Sequence, residues 1–385
     1  MYLKDQLQGF VPTEQANEII KKVARGSSVI RLSRLEPMNS EKKKVPVMVS
    51  GPGAYWVGEG QRISTSGAKW IYPELVTKKL AVIVPVTKEK LDFATIDVFT
   101  ELQDSIAEAF YTAFDSAALF GYNSPFSTSL MGAVRESGAV ITGSAVNFDI
   151  AASDVMAKVE EEGYDVDGFT AKIGVKNRLR KLRDANGAPV FVQDTNQNEL
   201  YGQPIEFVRN GAWKDDQAEI IAGEWKYSLV GTHGEISYEI LKEATLQGTL
   251  DEDGKPLSLA EQDMVAIKAT MLIAYLCVKP EAFAALAPSG SKVYDTTLSA
   301  LTIGSLTLDP TFDAATASYT ATTSNATNTI TATAAAEGAT VAITVNGSTV
   351  ENGSAATWNS GDNAVEIKVT NGGYSKTYTV TVTKE

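Results

Sequence analysis

Nucleophilic, general-base and metal-ligand chemistry draws mainly on His, Cys and clustered carboxylates. This chain of 385 residues has one histidine, His233, and one cysteine, Cys277. A single Cys excludes an internal disulfide, and zinc sites of the usual Cys/His type are excluded with it. His233 falls in Gly231-Thr232-His233-Gly234, which reads as a turn. General-base work needs positioned partners and no motif supplies them, so a structural histidine is expected. Cys277 lies in an apolar run and reads as a packed core thiol. Asp165-Val166-Asp167-Gly168 and Asp251-Glu252-Asp253-Gly254 hint at calcium loops. Neither continues with EF-hand ligand spacing and a terminal Glu, so each is read as a polar turn. Asn325-Ala326-Thr327, Asn346-Gly347-Ser348 and Asn352-Gly353-Ser354 match glycosylation sequons but sit in a Thr/Asn-rich stretch where such turns arise by chance. No catalytic residue, cofactor site or metal site is expected, and no enzyme activity.

The remaining candidates are binding groups. Lys172, Lys176, Arg178, Arg180, Lys181 and Arg183 form the densest basic cluster. A solvated helix face, a contact between subunits and a DNA contact all remain open for it. The absence of interleaved aromatics weakens the last. The whole chain carries 34 basic and 47 acidic residues, a net charge of −13, and lacks the basic footprint of a tight DNA binder. Trp56 and Trp70 either fill the core of an ordinary hairpin or pack on a neighbouring subunit. The second is favoured, because a long hairpin that buries little of itself needs a partner to order it.

The elements that must position these groups follow from periodicity. Thr13 to Arg25 reads as a short amphipathic helix, with Ala16, Ile19, Ile20 and Val23 on one face and Gly26 as a stop. Residues 45–87 read as a long two-stranded excursion, with Leu80, Val82, Val84 and Val86 on one face of the return strand. The strongest helix spans 97–120, where Val98, Leu102, Ile106, Ala109, Ala113 and Ala117 recur at spacings of three and four. Phe99, Phe110 and Phe114 widen that face, and Gly121 suits the C′ position. Helices are also expected at 149–162 and 172–184, and glycine-punctuated strands over 199–246. The apolar run 265–278 is a buried strand or a buried helix; periodicity alone leaves both open.

Composition shifts at Pro288-Ser289-Gly290-Ser291, which reads as a linker. From Leu298 to Glu385 there is no Arg, His, Cys or Met, and Thr supplies 20 of 88 residues. Short alternating runs at 329–333, 341–345, 365–369 and 378–382 are separated by turn signals at Asn346-Gly347, Gly361-Asp362-Asn363 and Asn371-Gly372-Gly373. That pattern argues an all-β sandwich or barrel. Phe312, Tyr319, Trp358 and Tyr378 are its aromatic core candidates. Elsewhere, no apolar run approaches the ~18–20 residues of a membrane span. Met1-Tyr2-Leu3-Lys4-Asp5 turns polar at once, unlike a signal peptide.

The order of features resembles the tailed-phage major capsid proteins of the Hong Kong 97-like fold. Trp56-Val57-Gly58-Glu59-Gly60 is similar to that family's Trp-x-x-Glu segment near the E-loop. Lys78-Lys79-Leu80 through Val86, then Lys90-Leu91-Asp92, resembles the strand and turn before its spine helix, whose end resembles Asp115 to Gly121. Leu200-Tyr201-Gly202-Gln203-Pro204-Ile205 is similar to its Leu-x-Gly-x-Pro-Val turn, and Ala222-Gly223-Glu224-Trp225 to its Gly-Asp-Phe element. Ala274 to Phe283, with Lys279-Pro280-Glu281-Ala282-Phe283, resembles its closing strand. The likeness covers roughly residues 30–285. Leu298-x-x-Leu301-x-Ile303, Pro310-x-Phe312, Tyr319 and Tyr378-Thr379-Val380 resemble a bacterial cadherin-like or immunoglobulin-like β-sandwich.

The resemblance implies an α+β fold. Residues 1–44 would be an N-terminal arm and 45–87 an E-loop with flanking strands. Residues 88–288 would hold the spine helix, P-domain and A-domain, 289–297 a linker, and 298–385 the sandwich. It implies a structural head protein of the virion, assembled in the host cytoplasm. Hexamers and pentamers would tile an icosahedral shell enclosing double-stranded DNA without specific binding. Scaffolding and portal proteins would be partners, and host surfaces would be reached through an outward-projecting sandwich. Trp56, Glu59, Lys69, Trp70, Arg178 and Arg180 are the expected assembly contacts. An encapsulin-like compartment and a cell-surface adhesin are the alternatives. Some family members begin with a long charged helical scaffold segment. Here the arm starts at Met1 and the E-loop arrives by residue 45, so a separate scaffold or unaided assembly is expected. Others join an E-loop Lys to a P-domain Asn with help from a Glu. The corresponding positions here are Lys69, Asp263 and Thr270, which lack the amide leaving group and the proton acceptor, so no crosslink is expected.

Overall fold

The computed structural model describes residues 26–63, 65–89, 98–143, 148–183, 186, 199–208, 211–250, 254–291 and 293–385. The helix expected over 13–25 and the acidic residues 251–253 lie outside the described residues. The chain forms two compact units. One takes the described residues up to Leu119 and from Thr128 to Ser289; the other takes Phe120–Ser127 and Gly290–Glu385.

In the first unit, two 14-residue strands, Ser228–Leu241 and Met264–Cys277, form the middle of a four-stranded sheet. They run antiparallel, from Ser228 opposite Cys277 to Leu241 opposite Ala266, with a bulge between His233 and Ser237. Lys78–Thr87 pairs antiparallel on one edge, and Arg34–Met38 runs parallel on the other. The apolar run left open by periodicity is therefore strand. Most of it is buried on both faces, which erases the period-two signal. His233 also departs from expectation: it lies within a strand opposite Met38 and Leu272, not in a turn. Gly234, at φ +67°, begins the bulge beside it.

The long helix runs Val98–Phe120, close to the expected span. Its buried stripe is shifted. Ile106, Phe110, Phe114 and Ala117 are buried, while Ala109 and Ala113 are exposed. The phenylalanines carry far more apolar area than alanine and decide which way the helix faces. The excursion is also displaced from 45–87. Lys42–Lys44 pairs with Glu74–Val76, and Val47–Ser50 with Lys69–Ile71. Residues 78–87 join the four-stranded sheet instead, because the central strand Met264–Cys277 offers them a ten-residue partner.

A six-stranded sheet takes the order Val140–Gly143, Phe283–Pro288, Ile220–Gly223, Gly168–Lys172, Gln203–Val208, Glu199–Leu200. Helix Phe148–Glu161 packs on it through Phe148, Ala151, Ala152, Val155 and Val159, spaced by three and four. The helix expected over 172–184 is only Val175–Lys181, since Lys172 completes a strand. Leu200 and Gln203 close a two-residue hairpin whose central Tyr201 and Gly202 sit at φ +51° and +79°. That double left-handed turn matches the twist of the strands it joins. A tight knot holds the sheet's middle. Trp225 is buried, donates from Nε1 to the Gly168 carbonyl at 3.0 Å, and meets the Phe283 ring edge-on. A Cβ at Gly223 would lie 2.2 Å from the Phe283 ring and 2.5 Å from the Ala282 carbonyl oxygen. Only glycine fits there.

The second unit is a β-sandwich. Leu298–Ile303, Thr327–Ala334 and Ala355–Thr357 form one sheet. The other takes the order Ser318–Thr323, Tyr374–Lys384, Gly361–Asn371, Thr340–Val345, Ser348–Val350. Burial alternates residue by residue along Thr327–Ala334, Gly361–Asn371 and Tyr374–Lys384. Tyr319, Trp358 and Tyr378 are buried in the core between the sheets, and Phe312 packs at its margin. The indole of Trp358 donates to Asn328 Oδ1 at 2.8 Å, so its polar edge is satisfied. The threonines face outward along these strands, where their hydroxyls stay solvated.

Candidate functional site

The excursion between Lys42 and Val76 presents apolar side chains to solvent. Between its paired segments, residues 51–63 and 65–68 have no regular structure apart from a turn at 59–60. That turn has Gly60 at φ +77° and Gln61 N–H donating to the Gly58 carbonyl. Gly53 N–H donates to Ser66 Oγ at 2.6 Å across the loop. Trp56 is fully exposed, and Tyr55, Ile63 and Tyr72 are more than half exposed. Trp70 and Met48 are cross-strand neighbours, and both are exposed. Fully burying one large apolar side chain is worth about 1.5–3 kcal/mol. A cluster of this size left in water is therefore a strong site for a partner. Glu59 and Lys69 are exposed beside it and give the patch a charged rim.

The basic cluster is largely engaged within its own chain. Arg178 pairs with Glu219 at 2.6 Å and lies over the Phe148 ring at 4.5 Å. Lys172 pairs with Asp215, and Lys176 lies over the Phe207 ring. These contacts follow from the short helix Val175–Lys181, which packs Val175 and Leu179 inward and leaves its cations partly or fully exposed. Arg180, Lys181 and Arg183 are exposed. Arg183 folds back, donating to the Arg180 and Leu182 carbonyls. Phe148 and Phe207 supply aromatic partners that are distant in sequence, so inspection of the cluster alone missed them.

Sequence reading also missed Asp115. It is buried on the long helix, between Phe114 and Ser116. Its Oδ1 accepts from Ser27 Oγ at 2.5 Å, and its Oδ2 accepts from Ser28 N at 3.0 Å and Ser28 Oγ at 3.2 Å. Ser27 Oγ in turn accepts from Ile30 N and caps the helix Ser28–Leu32. One turn earlier on the long helix, the Tyr111 ring lies where a Cβ at Gly26 would be, 2.3 Å away. Arg31 then pairs with Glu206, and Ser33 Oγ lies 2.7 Å from Ser228 Oγ. Residues 26–33 are thus fastened to a helix and two sheets. Burial pushes the Asp115 carboxyl up to about 6, against the hydrogen bonds that pull it down. A lone carboxylate inside an apolar stripe was the available signal.

The other singled-out groups have structural partners. Cys277 is buried, and burial pushes its thiol up to about 12, which keeps it protonated. Asp167 accepts from Trp225 N at 2.8 Å, and burial raises its carboxyl. Asn346 and Asn352 spend their side chains on Asn363 and Ala364 and on Ala332. Asp263, at φ +49°, is ion-paired to Lys88 at 3.4 Å. Thr270 lies in the central strand opposite Ala81. Among the described residues, no group of three or more His, Cys, Asp or Glu is placed to hold a metal ion.

Residues 8–287 match the phage capsid family, and residues 298–385 match the cadherin-like beta sandwich domain. The chain is 34% identical over 291 residues to the major capsid protein of Staphylococcus phage 80alpha, covering 75% of this chain and 88% of that one. A solved structure from Microbacterium phage Oxtober96 is similar at a TM-score of 0.60 and 28% identity, over 69% of this chain and 91% of that chain. One from Mycobacterium phage Adephagia is similar at 0.58 and 27%, over 70% and 92%.

Proposed function

The chain belongs to the phage capsid family, and from that premise we propose how its copies build and decorate the shell. It is a shell-forming major capsid protein of the virion, with the Hong Kong 97-like fold followed by a cadherin-like sandwich. The copies tile an icosahedral shell as hexamers and pentamers around double-stranded DNA. The exposed aromatic excursion carries this reading: Trp56, Trp70 and Tyr72 lie in water in the single chain and are covered when the excursion lies over a neighbour. Glu59, Lys69 and Arg180 then form the polar rim of that contact, with Arg178 holding the helix that presents Arg180. Interfaces of roughly 1,600 Å² each, repeated around a closed lattice, stabilise the shell without any one being strong. The chain serves as a wall and binds no DNA sequence, as a net charge of −13 favours. Scaffolding and portal proteins are its assembly partners. The sandwich, with 3 Lys against 7 Asp and Glu, is repelled by packaged DNA and projects outward, where it can meet host surfaces.

The test replaces Trp56 and Trp70 together by Ala and follows particles by electron microscopy, alongside the phage's own scaffold. A soluble, folded chain that forms no shells is expected. Shells formed as in wild type would overturn the assignment of the excursion. Truncation after Ser291 should give shells that lack outer knobs. Knobs that persist would refute the outward placement.

A further inference from the structure

We propose that the sandwich carries a recognition site for its own chain, in which the turn Asn371–Gly373 and Tyr374 hold the segment Phe120–Ser127. That segment follows the long helix, some 170 residues before the sandwich begins, yet it belongs to the second unit. Asn123 N–H donates to the Gly373 carbonyl at 2.8 Å, and Tyr122 forms an isolated antiparallel bridge with Tyr374. The Tyr122 ring meets the Tyr374 ring edge-on at 5.6 Å. On its other side Tyr374 stacks on Tyr294 at 4.6 Å and 22°. Asn371 Nδ2 donates to the Asp295 carbonyl at 3.0 Å, holding the approach to the first sandwich strand in the same place.

A hairpin turn with Asn-Gly-Gly could explain its glycines by backbone conformation alone, since Gly372 and Gly373 sit at φ +58° and +88°. The surroundings separate the two explanations. At Gly347, Gly353 and Gly361, three other left-handed glycines of the sandwich, an added Cβ would meet nothing within 4 Å. At Gly372 it would lie 2.4 Å from the Tyr294 ring, and at Gly373 2.5 Å from the Tyr122 ring. This turn is bare because rings from elsewhere in the chain occupy the space. The left-handed Asn123, at φ +47°, ends the bridge after one residue, so the site reads a short kinked segment and not a full strand.

The contact predicts protection of the Asn123 amide in the full-length chain. One backbone hydrogen bond and one edge-on ring pair are together worth about tenfold in local opening. Hydrogen exchange should show Asn123 protected in wild type and exchanging about tenfold faster in Gly373→Ala, with Ile367 in the sandwich core unchanged. Should Gly373→Ala also release Ile367, Tyr122→Ala decides, because Tyr122 lies outside the sandwich core: it should release Asn123 and leave Ile367 protected. An Asn123 amide that exchanges freely in wild type, or stays protected in Tyr122→Ala, overturns the proposal.

Discussion

Replacing Asp115 by Asn should remove a pH dependence from the segment that starts the described chain. The Asp115 carboxyl is displaced from 3.8 to about 6, with burial as the largest influence and the Ser27 and Ser28 hydrogen bonds opposing it. A displacement of about 2 units at 1.36 kcal/mol each corresponds to about 3 kcal/mol. The folded state holds this proton more tightly than the unfolded state. The stabilisation is therefore fully present below the unfolded value near 4 and is lost as pH rises through about 6. Acidifying from pH 7.5 to 5.5 restores about 1 kcal/mol of it. Amide protection at Ser28 and Ile30, normalised to intrinsic exchange at each pH, should rise about fivefold in wild type and stay flat in Asp115→Asn. Asp115→Ala should lower that protection at pH 7.5, because the buried Ser28 N–H loses its acceptor at a cost of about 1–3 kcal/mol. Parallel pH trends in wild type and the Asn variant would refute the reasoning.

Three further outcomes are expected. Gly223→Ala should destabilise the first unit by about 1–3 kcal/mol through overpacking against Phe283 and the Ala282 carbonyl, seen as a lowered Tm. Trp358→Ala should cost the sandwich about 3–5 kcal/mol and lower one calorimetric transition while leaving the other in place. Boiled, denatured particles should run as single chains on a gel, since Asp263 offers no amide to Lys69; a covalent ladder would contradict this.

The elements legible in the sequence were those whose burial alternates or repeats cleanly. The long helix and the strands around Ile330, Ile343, Ile367 and Val380 bury one face and expose the other, so their period survives in the residue types. The strand Met264–Cys277 was ambiguous because both its faces are covered. Ala109 and Ala113 were misplaced because alanine fits either side of a helix. The exposure of the tryptophans of the excursion was legible, since large apolar groups in a Gly-rich hairpin have little to pack against. Asp115, the Arg178–Glu219 pair and the Asn123–Gly373 contact were not. Each depends on residues that are far apart in sequence and brought together only by the completed sheets.

The strand order of the four-stranded sheet also sets a timetable for synthesis. Its edge strands, Arg34–Met38 and Lys78–Thr87, are made first, and its two central strands are made last. About 190 residues separate Met38 from Ser228. At translation rates of ~5–20 residues per second, the first strand is outside the ribosome for roughly 10–40 s before its neighbour exists. Neither early strand can pair with the other in the native order, because both central strands must slot between them. The nascent chain therefore carries two unpaired β-segments, one of them the apolar Leu80–Val86 stretch, each for about half of its translation. Chaperone capture of the nascent chain should be concentrated on that stretch and should cease once Cys277 has emerged and the sheet can close.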